Sequence, residues 1–412
     1  MTMSRSIKLR LCAMMFLEFF IWGGWFVTMG SYLAANLHAS GAQTGLAYGT
    51  QAWGAIIAPF VVGLIADRYF NAERLLGVFH IAGGILMYVL YSTPAFGAFY
   101  PVLLAYMILY MPTLALVNAI AFRQMDDPAR HFPGLRVWGT IGWIVAGLVI
   151  SFVFGWDSHA GISAGRLRDT FLMCSIASVV LGIYAFTLPG TPPRPAATQG
   201  GGGLGRLLGL DALVLLKERN FAVFFLASVL ICIPLAFYYQ NANQFLTEIQ
   251  VANATGKQTI GQMSEVLFML ALPLCLRSFG MKTTLLVGML AWAVRYVLFA
   301  FGNAQELAFM LIIGIALHGV CYDFFFVSGQ IYTDSKAGAA HKAAAQGLIT
   351  LATYGLGMLV GFWAAGHIDD RYAAGGAHDW KSIWLYPAAF AALVFVLFAA
   401  AFRNEKVSYA PR

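Results

Sequence analysis

The stretch Leu311-Ile-Ile-Gly-Ile-Ala-Leu-His-Gly-Val-Cys-Tyr-Asp-Phe-Phe-Phe326 decides the fold. It lies in an apolar run, about 305–331, long enough to cross the ~30 Å hydrocarbon core of a bilayer as a helix. Yet it contains Asp323 and His318. A charge at mid-bilayer costs roughly 2.5–3.5 kcal/mol on insertion scales, so such a residue turns to a wet cavity or to a partner. Glu18, Glu265, Arg136 and Arg295 repeat the pattern in other apolar runs. Buried charges of both signs in a many-span chain read first as groups that handle a polar solute. For any one of them, a structural ion pair between helices is the alternative.

Composition agrees. Of 412 residues, 60% are hydrophobic and only 10% charged, against about 25% charged in a soluble domain. Twelve apolar segments follow one another: 10–34, 44–66, 75–94, 99–121, 135–155, 168–188, 221–246, 260–276, 282–301, 305–331, 343–366 and 382–402. The breaks between them carry Gly, Pro, Asn and Asp, the residues of turns. The first segment is too long for a signal peptide and is followed by no cleavage site, so it reads as an uncleaved span. The five cysteines are scattered through apolar segments without metal or redox spacing and read as small core residues.

With the N-terminus inside, most of the 25 Lys and Arg fall on the inner side. Only Arg166, Arg168, Lys257, Arg371 and Lys381 fall outside. That bias places both termini in the cytoplasm, and it makes the net charge of +7 an orientation signal. The longest hydrophilic break runs Pro189-Gly-Thr-Pro-Pro-Arg-Pro195 and then Gly200–Gly203, which is linker composition. It divides the chain into a six-helix half at 1–188, a cytoplasmic linker at 189–220 and a second six-helix half at 221–412. The expected fold class is therefore an all-α membrane protein with twelve transmembrane helices in two six-helix halves.

Several constellations could carry chemistry. Arg136, Thr140 and Trp143 are spaced i, i+4, i+7 and share a helix face. A cation, a hydroxyl and an indole in one stripe suit a ligand with polar edges and a flat apolar face. Alternatively, Arg136 caps the helix end and Trp143 faces lipid. Gln262 and Glu265 also share a face, where a carboxylate beside an amide can grip adjacent hydroxyls or take a proton. His318 and Tyr322 are i, i+4, and Asp323 lies among aromatic rings, so this cluster is a candidate proton and ligand site. Phe237-Tyr-Tyr-Gln-Asn-Ala-Asn-Gln-Phe245 packs four amides into five positions, and some of them are expected to line a cavity. Tyr239 and Gln240 are the ligand candidates there. Glu18 is either a second proton carrier or the neutraliser of Arg136. No phosphate-cradling Gly loop, HExxH or nucleophile elbow is present. The chain therefore reads as no enzyme, with no cofactor and no metal, driven by an ion gradient rather than ATP.

Two six-span halves around a central linker resemble the major facilitator superfamily, in which substrate sits at mid-membrane. Gly63-x-x-x-Asp67-Arg68 resembles that superfamily's signature loop, which assigns Asp67 and Arg68 a gating role. Further stretches are more specific. Leu17-Glu-Phe-Phe-Ile-Trp-Gly-Gly-Trp-Phe-Val-Thr-Met-Gly-Ser-Tyr32, Tyr110-Met-Pro-Thr-Leu114, Arg136-Val-Trp-Gly-Thr-Ile-Gly142, Leu207-Leu-Gly-Leu-Asp-Ala212, Gln262-Met-Ser-Glu265, Asp323-Phe-Phe and Ala345-Gln-Gly347 resemble the bacterial nucleoside:proton symporters of that superfamily. The resemblance implies a monomeric, multi-pass protein of the bacterial inner membrane that imports nucleosides with protons by alternating access. It implies binding roles for Arg136, Thr140, Gln262, Glu265 and Asp323, with Asp323 and Glu265 as coupling acids; Glu18 joins them as a proton-carrier candidate from its own place in the first span.

The departures lie in the site. Trp143 stands where those permeases have Phe, His318 where they have Tyr, and Tyr322 where they have Phe. The family's span-seven amides fall at Ala236 and Tyr239, so those contacts are lost or moved to Gln240 and Asn241. A proton symporter for a sugar or glycoconjugate is therefore the second reading. A non-transporting membrane sensor is the third.

Overall fold

The structure is a computed structural model that describes residues 4–61, 69–126, 128–193 and 210–405. The expected gating pair Asp67–Arg68 lies outside these residues. The described chain is almost wholly helical. A bilayer offers no water to backbone N–H and C=O groups, so each span must satisfy its own.

The helices in order are α1 (Arg5–Phe26), α2 (Met29–Asn36), α3 (Gly41–Val61), α4 (Ala72–Ser92), α5 (Phe96–Arg123), α6 (Pro128–Leu148), the short α7 (His159–Ser163) and α8 (Asp169–Ala185). Then come α9 (Arg219–Glu248), α10 (Ala254–Phe301), α11 (Ala308–Cys321), α12 (Ser328–Thr350), α13 (Met358–Arg371) and α14 (Trp380–Ala401). Ten candidate membrane spans occur among the described residues. One of them, α10, is a 48-residue helix broken by Gly280 at φ 76° and ψ 172°, so it holds the expected spans 260–276 and 282–301. The expected first span is interrupted at Val27–Thr28, where the Thr28 hydroxyl donates to Trp25 O at 3.2 Å.

Three helices widen to π-turns: Val149–Phe154 after α6, Tyr322–Val327 after α11 and Leu351–Gly357 after α12. Such bulges re-aim side chains and recur at functional sites. Two of the three fall on Tyr322–Asp323 and on Tyr354.

The chain forms two compact units. The first comprises Met1–Ala39, Leu46–Gly202 and Ala252–Gly256; the second comprises Ser40–Gly45, Gly203–Val251 and Lys257–Arg412. In the first unit α4 packs on α8 and on α5, and α1 packs on α6. Glycine lets backbones meet, as in other membrane helix pairs: Gly142 of α6 lies against Phe16 O of α1. In the second unit α9 packs on α13 and α14. Leucines such as Leu267, Leu270 and Leu274 stand exposed on α10, as a lipid-facing surface requires.

The two segments that join the unit outside their own stretch of chain are each held by an acid at a helix N-terminus, where amides are free and the dipole favours an anion. Asp370 accepts from Gly41 N at 2.6 Å and Ala42 N at 2.8 Å. Asp157 accepts from Thr255 N at 2.9 Å and from the Ser151 hydroxyl at 2.5 Å, while Ser151 Oγ accepts from Gly256 N at 2.7 Å.

Leu210–Lys217 forms a 3-10 segment, and its Ala212 packs with Ala337, Ala345 and Leu348 of α12. Between α13 and α14 a two-residue hairpin turns at Gly375–Gly376, both at positive φ, which only glycine adopts freely. His378 on that hairpin is held by Glu248 at the end of α9, Nδ1 to Oε2 at 2.8 Å and backbone N to Oε1 at 2.7 Å. That hydrogen bond to the carboxylate raises the His378 pKa above its ordinary value.

Candidate functional site

The first unit carries a half-exposed stripe on α6. Arg136, Thr140 and Trp143 stand on one face, all of intermediate exposure. The Arg136 guanidinium lies over the Phe19 ring of α1, 4.0 Å from its centroid. The Trp143 indole meets Trp22 edge-on at 5.7 Å, and its ring rests against Gly23. Trp22 in turn meets Tyr110 at 5.8 Å. The sequence alternative of a lipid-facing Trp143 is thus replaced by an aromatic wall shared with α1. A cation and a hydroxyl flank this wall, which is the pattern for a flat ring with polar edges.

Glu18 does not neutralise Arg136. It is fully buried, with Oε2 at 2.8 Å from His80 Nε2 and Oε1 at 2.6 Å from the Thr113 hydroxyl. His80 Nδ1 lies 3.0 Å from Ser178 Oγ, and the Ser178 hydroxyl donates to His80 O at 2.8 Å. Tyr110 donates to Glu18 O at 2.8 Å. The network ties α1, α4, α5 and α8 together. His80 was not among the sequence candidates; a lone imidazole in an apolar span was its only signal.

The second unit gathers most of the remaining candidates. His318 Nε2 stands 3.9 Å from Glu265 Oε2. This approach exists because Gly319 lies directly on the backbone of Ser264 and Glu265, where its N donates to Ser264 Oγ at 3.0 Å. Glu265 acts electrostatically on Tyr239, Tyr322 and Asp323. The Tyr322 and Tyr354 hydroxyls are 3.0 Å apart. Tyr239, Gln262, Glu265, Tyr322 and Tyr354 are all of intermediate exposure. Tyr354, brought in by its π-turn, was not anticipated.

Asp323 is fully buried, and neither of its carboxyl oxygens has a hydrogen-bond partner among the described residues. Burial of an ionised carboxylate without partners is costly.

Gln240 departs from expectation. It is fully buried and donates to Asp369 Oδ2 at 2.8 Å, while Asn241 donates to Asp369 Oδ1 at 2.8 Å. Asn243 donates to Gln258 at 2.7 Å. Three of the four clustered amides therefore give their NH2 groups to protein partners, while Gln240 Oε1 and Asn241 Oδ1 have no hydrogen-bond partner among the described residues. Asp369 lies beyond the expected end of its span at 366 and was not among the sequence candidates. Arg295, also without an assigned role in the sequence, is fully buried beside His318, Nη1 to Nδ1 at 3.3 Å. No cluster of metal-ligating side chains occurs among the described residues.

Known proteins are similar to this chain over nearly its full length. The family described as nucleoside H+ symporter matches residues 5–407. A putative nucleoside transporter, YegT of Escherichia coli K12, is 44% identical over 404 residues, covering 96% of this chain and 94% of its own. The xanthosine permease of the same organism is 35% identical, covering 97% and 96%. The crystal structure of the nucleoside transporter NupG superposes with a TM-score of 0.85 at 30% identity, covering 97% of this chain and 100% of that one.

Proposed function

The chain belongs to the nucleoside H+ symporter family of the major facilitator fold, and from that premise we propose that it imports nucleosides together with protons by alternating access. It works as a monomer in the bacterial inner membrane, with both termini in the cytoplasm. In the first unit the ligand contacts are Arg136, Thr140 and Trp143. In the second unit they are Tyr239, Gln262, Glu265, His318 and Tyr322. Gln240 drops out of this set because Asp369 occupies its amide.

Asp323 carries the coupling proton, and the single observation behind this is its buried carboxyl with both oxygens unpartnered. When protonated it loses its desolvation penalty, which favours the loaded state; when it releases the proton, the ligand site it shares with Glu265 becomes more negative and reopens. Glu265 is both ligand contact and second titrating group. Glu18 belongs to the scaffold, because His80 and Thr113 already occupy both its oxygens.

The test is uptake of labelled uridine, adenosine and xanthosine into proteoliposomes, with and without an inward proton gradient. Accumulation is expected to require the gradient. Asp323→Asn is expected to abolish accumulation and to leave exchange intact. If accumulation survives in Asp323→Asn, the proton assignment is wrong. If folded wild-type protein takes up no nucleoside but does take up a sugar, the substrate reading is wrong.

A further inference from the structure

Arg295 is the buried charge for which transport chemistry as set out above has no use. It lies on α10, is 0% exposed, and is one of the largest fully buried side chains in the molecule. Its guanidinium carbon sits 3.3 Å from the centroid of the Tyr238 ring. Tyr238 stacks on His318 at 5.6 Å and 27°. Arg295 Nη1 reaches His318 Nδ1 at 3.3 Å, while Arg295 Nε and Nη2 have no hydrogen-bond partner among the described residues.

A guanidinium has only donors. The contact with His318 is therefore possible only if Nδ1 is an acceptor, which puts the ring proton on Nε2. A second ring proton would set N–H against N–H beside a full positive charge. Nε2 is the atom that faces Glu265, across 3.9 Å. That gap is too long for a hydrogen bond. A hydroxyl oxygen held about 2.8 Å from each group spans it, accepting from Nε2–H and donating to the carboxylate. The ring cannot swing away, because Tyr238 covers one side, Tyr322 lies 5.8 Å off, and Gly261 lies against its Cβ.

We propose that Arg295 is a positioning residue that holds His318 as a fixed Nε2–H donor, and that His318 and Glu265 together read one hydroxyl of the ligand. The ligand class is a sugar-bearing solute whose hydroxyl both accepts and donates; this part rests on the nucleoside reading above. His318 is thereby a selectivity residue and not a proton carrier. The electrostatic role of a guanidinium behind an imidazole is the one that a carboxylate plays with opposite sign in metal and protease sites: it chooses the tautomer.

The experiment uses the full chain in nanodiscs, labelled with 15N-histidine, with His318 among the eight histidines assigned by its loss in His318→Gln. The expected spectrum shows protonated Nε2 and bare Nδ1 for His318, unchanged from about pH 5.5 to 8, and a mixture of tautomers in Arg295→Gln. An Nδ1–H or doubly protonated ring in the wild type overturns the proposal. The second arm compares inhibition of uridine uptake by uridine, 2′-deoxyuridine and 3′-deoxyuridine. Wild type is expected to discriminate against one deoxy compound by at least about tenfold. His318→Phe, which keeps the stack and loses the donor, is expected to abolish that discrimination, and His318→Gln to restore part of it. Full discrimination in a folded His318→Phe overturns the hydroxyl reading. If Arg295→Gln does not fold, the wild-type spectrum and the His318 variants still decide the matter. If no nucleoside is transported at all, the substrate reading fails, and the spectrum still stands or falls alone.

Discussion

Replacing Glu18 separates a scaffold role from a proton-carrying one. Glu18 is 0% exposed and makes two side-chain contacts, to His80 Nε2 at 2.8 Å and to Thr113 Oγ1 at 2.6 Å. Hydrogen bonds to a carboxylate contribute about 1.5–3 kcal/mol each, so Glu18→Ala loses about 3–6 kcal/mol. That agrees with the 3–5 kcal/mol typical of breaking a buried pair from one side. Glu18→Gln behaves differently. Because the Ser178 hydroxyl is donated to His80 O, Ser178 Oγ accepts from Nδ1, and Nε2 of a neutral ring is left as an acceptor. The glutamine amide N–H can donate there while its carbonyl accepts from Thr113. The expected cost is below about 1.5 kcal/mol, one ordinary hydrogen bond. Thermal unfolding of the purified protein, followed by tryptophan fluorescence, is expected to rank wild type close to Glu18→Gln and well above Glu18→Ala. Gradient-driven uptake by Glu18→Gln is expected to persist. A Glu18→Gln protein that unfolds as early as Glu18→Ala, or that folds and no longer accumulates substrate, would refute the reasoning and return Glu18 to the coupling acids.

Further outcomes follow from single contacts. Gly319→Ala puts a methyl 2.5–2.6 Å from the backbone of Ser264 and Glu265. Backbone cannot yield, so α11 must move off α10 at a cost of about 1–3 kcal/mol; measured uptake should fall further than stability, since His318 moves away from Glu265. His378, raised by its bond to Glu248, stabilises the fold fully below its ordinary pKa of about 6.5. That contribution is lost as pH rises through the raised native value, so the unfolding temperature should decline from about pH 6 upward, more steeply than in His378→Gln. Equal slopes in the two proteins would reject the link. Asp157→Ala removes the acceptor for Thr255 N and Ser151 Oγ, a helix-cap loss of about 0.5–2 kcal/mol, whereas Asp157→Asn keeps an acceptor oxygen and should unfold later than Asp157→Ala.

Much of the site was legible because helical spacing is local. Arg136, Thr140 and Trp143 share a face by arithmetic, and they share one in the structure. Gln262 and Glu265 do likewise. The relations that escaped were between helices. Asp369 fell outside the expected segment 343–366 and was not a candidate, since a bilayer-length estimate cannot say where a helix runs on past the membrane. Gln240 read as a cavity residue because four amides in five positions looked unsatisfiable, yet the acceptor of its amide NH2 lies 129 positions away.

The amino-acid sequence alone determined that the chain crosses a membrane many times as helices, and to which family it belongs. Apolar length, charge scarcity and short motifs are properties of contiguous residues, and the bilayer reads them one segment at a time. Only the tertiary structure decided which buried charge answers which. Glu18 met His80 instead of Arg136, and Arg295 met His318. A 3.6-residue period fixes the face on which a side chain stands, but the azimuth of each helix and its neighbour come from packing, where glycine contacts such as Gly319 on Ser264 bring distant residues within reach.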